Sequence, residues 1–189
     1  MSNSVNEILI IGLGLIGASI AKASKEKGII VHGYDIKKSV IKTAIGDNVI
    51  DQSIDSIEGL NNKSLIDKID LVIISVSPKA TQEIINQIPN LMNTKITITD
   101  TSSVKNHLKI SSISNFILSH PIAGSDKSGI ASLDQTLFEN KKTIICNPNN
   151  VEDVHLKKLT DFWKYAMQMR VSEMSVKEHD LLFAMTSHL

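Results

Sequence analysis

The 189-residue sequence has one cysteine, Cys146, so it forms no internal disulfide and supplies no multi-cysteine metal site. No metal site is expected. Set in the run Thr143-Ile144-Ile145-Cys146, the thiol reads as a buried strand residue. There is no surplus of charge: Lys plus Arg and Asp plus Glu are 20 each. That balance leaves no electrostatic footprint for nucleic acid or an anionic membrane. Arginine is reduced to Arg170. No apolar run approaches the roughly eighteen residues of a membrane span. The first run, Ile8 to Ile11, leads into glycines with no basic leader before it, so no secretory signal is read and the cytoplasm is expected. No internal repeat is visible. The length suits one domain, or one domain plus a fragment, with a sizeable core.

What is present is an alternation of strand and helix signals. Strands are expected at 7–11, 29–34, 70–75, 96–99, 115–118, 142–146 and 168–172, with a weak one around 49–54. Helical stretches separate most of them, which argues for a mostly parallel sheet covered on both faces. Asn150 is a candidate cap for a helix through Trp163, with Val154, Leu156, Leu159 and Phe162 on its packed face. Ser175 and Glu178 form a capping box that starts a final helix.

The strand 7–11 runs straight into Gly12-Leu13-Gly14-Leu15-Ile16-Gly17 and then a helix. This is the context in which G-x-G-x-x-G binds a dinucleotide. Gly12 makes the tight turn, Gly14 leaves room for a pyrophosphate, and Gly17 lets the helix pack on the strand. Asp35, eighteen positions beyond Gly17 at the end of the second strand, matches the acid that binds the ribose hydroxyls. It favours NAD over NADP, a preference that Lys37 and Lys38 weaken.

Three more strand ends carry polar chemistry. After Leu71–Ile74, residues Ser75, Val76 and Pro78 either line the nicotinamide side or simply end a strand. Thr99-Asp100-Thr101-Ser102-Ser103-Val104-Lys105 reads as a strand turning into a helix. Its hydroxyls serve either as caps or as substrate contacts. Ser119-His120-Pro121-Ile122-Ala123-Gly124 sets a titratable ring where a short strand, 116–118, opens into a loop. Pro121 forbids a continuing helix, and Gly124 permits a turn or close approach of a ligand. In open α/β sheets, ligands bind at such strand ends.

Together with Glu178-His179-Asp180 and Ser187-His188-Leu189, these motifs resemble the prephenate dehydrogenase family, including its arogenate-using relatives. The resemblance implies a Rossmann-type, doubly wound α/β domain over residues 1–174. Residues 175–189 would begin a truncated helical domain for dimerisation and substrate binding. It implies NAD as cofactor and oxidative decarboxylation of prephenate to 4-hydroxyphenylpyruvate in tyrosine biosynthesis. His120 is similar to the family histidine that accepts the hydroxyl proton, and Ser103 to the serine that hydrogen-bonds the same hydroxyl. Ser102, Gly124 and His188 are further expected on the substrate side. His179 and His188 are nine residues apart and so lie on opposite sides of an ideal helix. Of the two, His188, in Ser-His-Leu, is taken as the functional one.

Two departures stand out. Ser102 occupies a position where the family often has glycine. Family members also continue past Ser-His-Leu into a helical domain that makes the dimer and supplies an arginine for a substrate carboxylate. The 189 residues are therefore expected either to be a fragment of a longer enzyme or to be completed by a separate polypeptide. An edge of Phe183, Met185 and Leu189 would need that cover. Two other readings remain open from sequence. One is another hydroxy-acid dehydrogenase of the same fold, against which stands the lack of a lysine-containing catalytic helix. The other is an NAD-binding module without catalysis.

Overall fold

The apolar runs become strands buried on both faces, as expected where helices cover a parallel sheet. The computed structural model describes residues 5–57, 60, 63–92, 94–111, 113–124 and 127–186. One sheet contains β1 (Glu7–Ile11), β2 (Ile30–Tyr34), β3 (Gln52–Ser53), β4 (Leu71–Ile74), β5 (Thr97–Asp100), β6 (Phe116–Ile122), β7 (Lys142–Cys146) and β8 (Arg170–Glu173). Their order is β3-β2-β1-β4-β5-β6-β7-β8. From β3 to β6 every pairing is parallel; β7 is antiparallel to β6, and β8 is parallel to β7. The order 3-2-1-4-5-6 is that of the doubly wound dinucleotide-binding sheet, whose direction of winding reverses between β1 and β4.

Alternate residues along each strand feed two cores. Ile8, Ile10, Leu71, Ile73 and Ile117 pack with Trp163 on one face, and Leu9, Ile11, Val72, Ile74 and Leu118 on the other. The helices are α1 (Leu15–Glu26), α2 (Lys38–Gly46), α3 (Lys63–Ile66), α4 (Pro78–Gln87), α5 (Asp153–Asp161) and α6 (Val176–Thr186). Among the described residues, no helix is long and apolar enough to cross a membrane.

Several boundaries differ from the sequence reading, each for a local reason. No helix follows β5. Instead the Asp100 carboxylate accepts from Ser102 N–H (3.0 Å), and the backbone N–H groups of Lys105 and Asn106 donate to Asp180. These bonds take up backbone N–H donors of the segment with side-chain carboxylates. The strand read as 115–118 runs on to Ile122, so His120 and Pro121 lie within β6 and not in a loop. Beyond Ile117, among the described residues, only β7 pairs with β6. The strand therefore has an unpaired side there, which tolerates a proline. Helix α5 starts at Asp153 after Glu152, while Asn150 sits in the left-handed region at φ 48° and does not cap it. Residues 162–166 continue as one wide π turn, and Val154, expected on the packed face, is exposed.

Candidate active site

The candidate site lies at the reversal between β1 and β4, where adjacent strands send their connections to opposite faces and open a crevice. Gly12 has φ 96°, and a Cβ there would lie 2.4 Å from the Ser75 carbonyl oxygen. A Cβ on Gly17 would come within 1.9 Å of the Gly12 carbonyl oxygen. Gly14, by contrast, has open space beside it and stands at the head of α1, whose first N–H groups have no partner within the helix. The three glycines thus do two different jobs. Gly17→Ala is expected to prevent normal folding. Gly14→Ala should keep the wild-type melting temperature yet weaken nucleotide binding by about tenfold or more, ~1.4 kcal/mol, which calorimetry would read directly.

A cleft of about 460 Å³ lies over this point. Gly14, Leu15 and Ile16 line it from the first turn, Ser75, Val76 and Pro78 from the end of β4, Ser102 and Ser103 from the end of β5, and His120 from β6. Leu13 is in the core, and its N–H donates to Asp35 Oδ2 (2.9 Å). The other Asp35 oxygen accepts from Lys37 N–H (2.9 Å), so the acid at the end of β2 is tied to the glycine turn. Asp35 lines an adjoining cavity of about 200 Å³ with Gly12, Tyr34, Ile36 and Ile84. Ser75 and Val76 follow directly on β4, Ser77 caps α4, and Pro78 is the first residue of that helix, so this turn lines the cleft.

The expected substrate-side residues separate. Ser103 is exposed into the cleft, whereas the Ser102 hydroxyl is buried against that of Thr81 (3.1 Å). Gly124 is exposed and not among the lining residues. His188 lies outside the described residues, as do Ser187 and Leu189.

His120 is held from below and from the side. Its neighbour Ser119 turns into the opposite core, where its hydroxyl meets Thr99 (2.7 Å) and receives the Trp163 indole N–H (3.1 Å). Ser119 N–H donates to Asp100 Oδ1 (3.2 Å), and its carbonyl accepts from Lys105 Nζ (2.5 Å). Lys105 also donates to Asp100 Oδ2 (2.6 Å), and both side chains of this ion pair are fully buried. On the other side, His120 Nδ1 lies 2.9 Å from His179 Nε2, and His179 Nδ1 lies 2.7 Å from Asp180 Oδ1. Phe183 packs edge-on against His120, with ring centroids 4.6 Å apart. Phe183 is therefore not part of an exposed edge, while Leu181 and Leu182 are exposed instead. The side chain of Met185 lies outside the description.

Burial pushes the His120 pKa down to about 4, assisted by the positive Lys105 and by His179, with Asp180 opposing. The ring is consequently neutral at neutral pH and has one lone pair to offer. Burial also pushes the Cys146 thiol up to about 11, so it is an inert core group. Among the described residues no group of three His, Cys, Asp or Glu side chains could hold a metal. A second cavity of about 470 Å³ lies at the opposite ends of the strands, with Asp70, Lys95, His155 and Lys158 mixing both signs of charge. It contains none of the strand-end chemistry described above.

The family described as "Prephenate dehydrogenase, nucleotide-binding domain" matches residues 20–171. The chain belongs to the prephenate dehydrogenase family. It is 32% identical to the prephenate dehydrogenase of Lactococcus lactis, covering 97% of this chain and 51% of that one. It is 31% identical to the cyclohexadienyl dehydrogenase of Zymomonas mobilis, covering 96% and 62%. The chain thus spans about half to three-fifths of the length of these curated relatives. A solved prephenate dehydrogenase of Aquifex aeolicus, in complex with hydroxyphenyl propionate and NAD+, superposes with a TM-score of 0.88 at 31% identity, covering 100% of this chain and 66% of that one.

Within this family domain, sequence alone favours His188 over His179 and assigns no role to Asp100 or Lys105. A signal for His179 was available. The Ser175–Glu178 capping box, confirmed by reciprocal bonds of 2.9 and 3.2 Å, sets the phase of α6. That phase turns His179 inward. For Lys105 no local pattern exists, because its burial depends on the Ser119 carbonyl of β6 as well as on Asp100.

Proposed function

We propose that the protein binds NAD and oxidatively decarboxylates prephenate to 4-hydroxyphenylpyruvate. What carries this reading is that His120 shares one cleft with the glycine turn, the end of β4 and Ser103. A dinucleotide fits the residues present: open space beside Gly14, an unpaired helix start, and an acid fixed at the end of β2. Asp35 accepts the ribose hydroxyls and disfavours a ribose phosphate. When bound, NAD supplies the hydride acceptor. Ser103 hydrogen-bonds the substrate hydroxyl, and His120 Nε2 takes its proton as the carbon gives up hydride. The ring ketone so formed loses its carboxylate as carbon dioxide, and the bonding pair left behind moves through the ring onto the ketone oxygen, which takes up a proton to give the aromatic phenol.

Prephenate carries two carboxylates, and Lys127 is the one cation among the described cleft residues. That count supports a contribution from outside these residues, either a continuing helical domain or a second subunit in a homodimer. The exposed Leu181 and Leu182 on α6 support the same reading, with 1–174 as the cofactor domain and 175–189 as the start of the next. A cysteine-poor, NAD-using biosynthetic enzyme belongs in the cytoplasm.

The test is NADH formation by the purified protein with prephenate, repeated with arogenate and with NADP in place of NAD. Turnover with prephenate and NAD, exceeding that with NADP, is expected. Turnover confined to arogenate would replace the substrate. Nucleotide binding without turnover on either would overturn the activity.

A further inference from the structure

The last described helix reaches back to the proposed base. His179 is fully buried, and both its ring nitrogens are engaged, Nε2 with His120 Nδ1 and Nδ1 with Asp180 Oδ1. Asp180 also accepts the backbone N–H groups of Lys105 and Asn106, at 3.1 and 2.8 Å. A carboxylate receiving three such bonds is an acceptor at every contact. Burial pushes the Asp180 pKa up, but the bonds from His179, Asn106 and Lys105 outweigh it and hold the group below its ordinary value.

We propose that His179 and Asp180 are positioning residues that fix which nitrogen of His120 carries its proton. The donors and acceptors follow in sequence. Because ionised Asp180 only accepts, His179 carries its proton on Nδ1. Its Nε2 then accepts, so His120 must donate from Nδ1. The remaining nitrogen, His120 Nε2, is left as a lone pair, which is the form a base needs. With the opposite tautomer, Nε2 would carry the proton and have no lone pair with which to accept another. The groups packed around the ring are Lys105 from the segment after β5, and His179, Asp180 and Phe183 from α6. A helix some 56 positions later in the chain thus sets the chemistry of a strand residue. The proposal rests on the reading of His120 as the base.

Three variants and one spectrum test it. His179→Leu removes the acceptor, and kcat for prephenate should fall roughly 100-fold or more, with NAD affinity and thermal midpoint near wild type. His179→Gln returns an acceptor oxygen toward His120 and should recover about tenfold of that loss. Asp180→Asn can donate to His179, which favours the wrong tautomer. It should lower kcat and move the acid limb of the pH profile further down, since Asp180 is the group that raises the His120 pKa. A His179→Leu protein with kcat within about twofold of wild type would overturn the proposal. So would a folded His179→Gln protein no better than His179→Leu.

Nitrogen-15 NMR of labelled histidines reads the tautomer without any substrate. His120 protonated on Nδ1 and bare on Nε2 is expected at neutral pH. A proton on Nε2, or a doubly protonated His179, would refute the proposal. The expected tautomer in a protein that never oxidises prephenate would leave the positioning intact and overturn the functional reading alone.

Discussion

His120→Asn should lower kcat for prephenate oxidation by roughly 100- to 10,000-fold, the span of a lost general base, without a matching loss of NAD affinity. Asn fills most of the volume and still hydrogen-bonds, but it has no basic lone pair. Its neighbours need not move, because Ser119 is anchored independently by Thr99, Trp163, Asp100 and Lys105. Steady-state kinetics beside calorimetric NAD binding separate the outcomes. Undiminished turnover would remove His120 from the chemistry, and a parallel loss of NAD binding would mean that the cleft had been disturbed.

The pH dependence follows from the same residue. In the folded protein the His120 pKa is depressed to about 4, so the ring stays a neutral base as pH falls through 6.5. The acid limb of kcat/KM should lie nearer the lower value. In the unfolded chain the same ring takes its proton near 6.5, so below that pH this group favours unfolding. Activity and stability therefore part company on the acid side.

Lys105→Met should cost about 3–5 kcal/mol of stability, the range for breaking a buried pair by removing one partner. Met matches the length of the lysine stem but leaves the Asp100 carboxylate buried opposite an apolar group, and the Ser119 carbonyl loses its donor. Urea unfolding would measure the loss. Adding Asp100→Leu to Lys105→Met should recover much of it, since replacing both members of a buried pair with apolar groups is often neutral. A double variant no more stable than the single one would show that Asp100 matters mainly through its bonds to the Ser102 and Ser119 N–H groups. Losing the Lys105 charge should also raise the His120 pKa, because that charge opposes protonation of the ring.

Local pattern sufficed wherever one segment carries its own constraint. The glycine turn was legible because three missing side chains at fixed spacing are a backbone requirement, and the Cβ clashes at Gly12 and Gly17 are its physical content. Asp35 was legible because β2 ends there, and the Ser175–Glu178 box because both partners lie within one turn. The helix read after β5 was not formed, since Asp100 and Lys105 bond to each other and to β6. The apolar run ends at Leu118, so sequence alone puts His120 where the strand opens into a loop, and the absence of β5 beside that part of β6 is not visible locally.

The sequence by itself determined the doubly wound sheet and the glycine turn with the acid that follows β2, because each depends on periodicity or on residues at fixed spacing. The roles proposed for His120 and Ser103 rest on the resemblance to the family. Tertiary structure alone decided that the Ser102 hydroxyl is buried against that of Thr81, that Lys105 is buried against Asp100, and that His179 meets His120. Those pairings join residues 5 to 59 positions apart. They exist because desolvated polar groups must find partners, and which partners are within reach depends on how β5, β6 and α6 pack together.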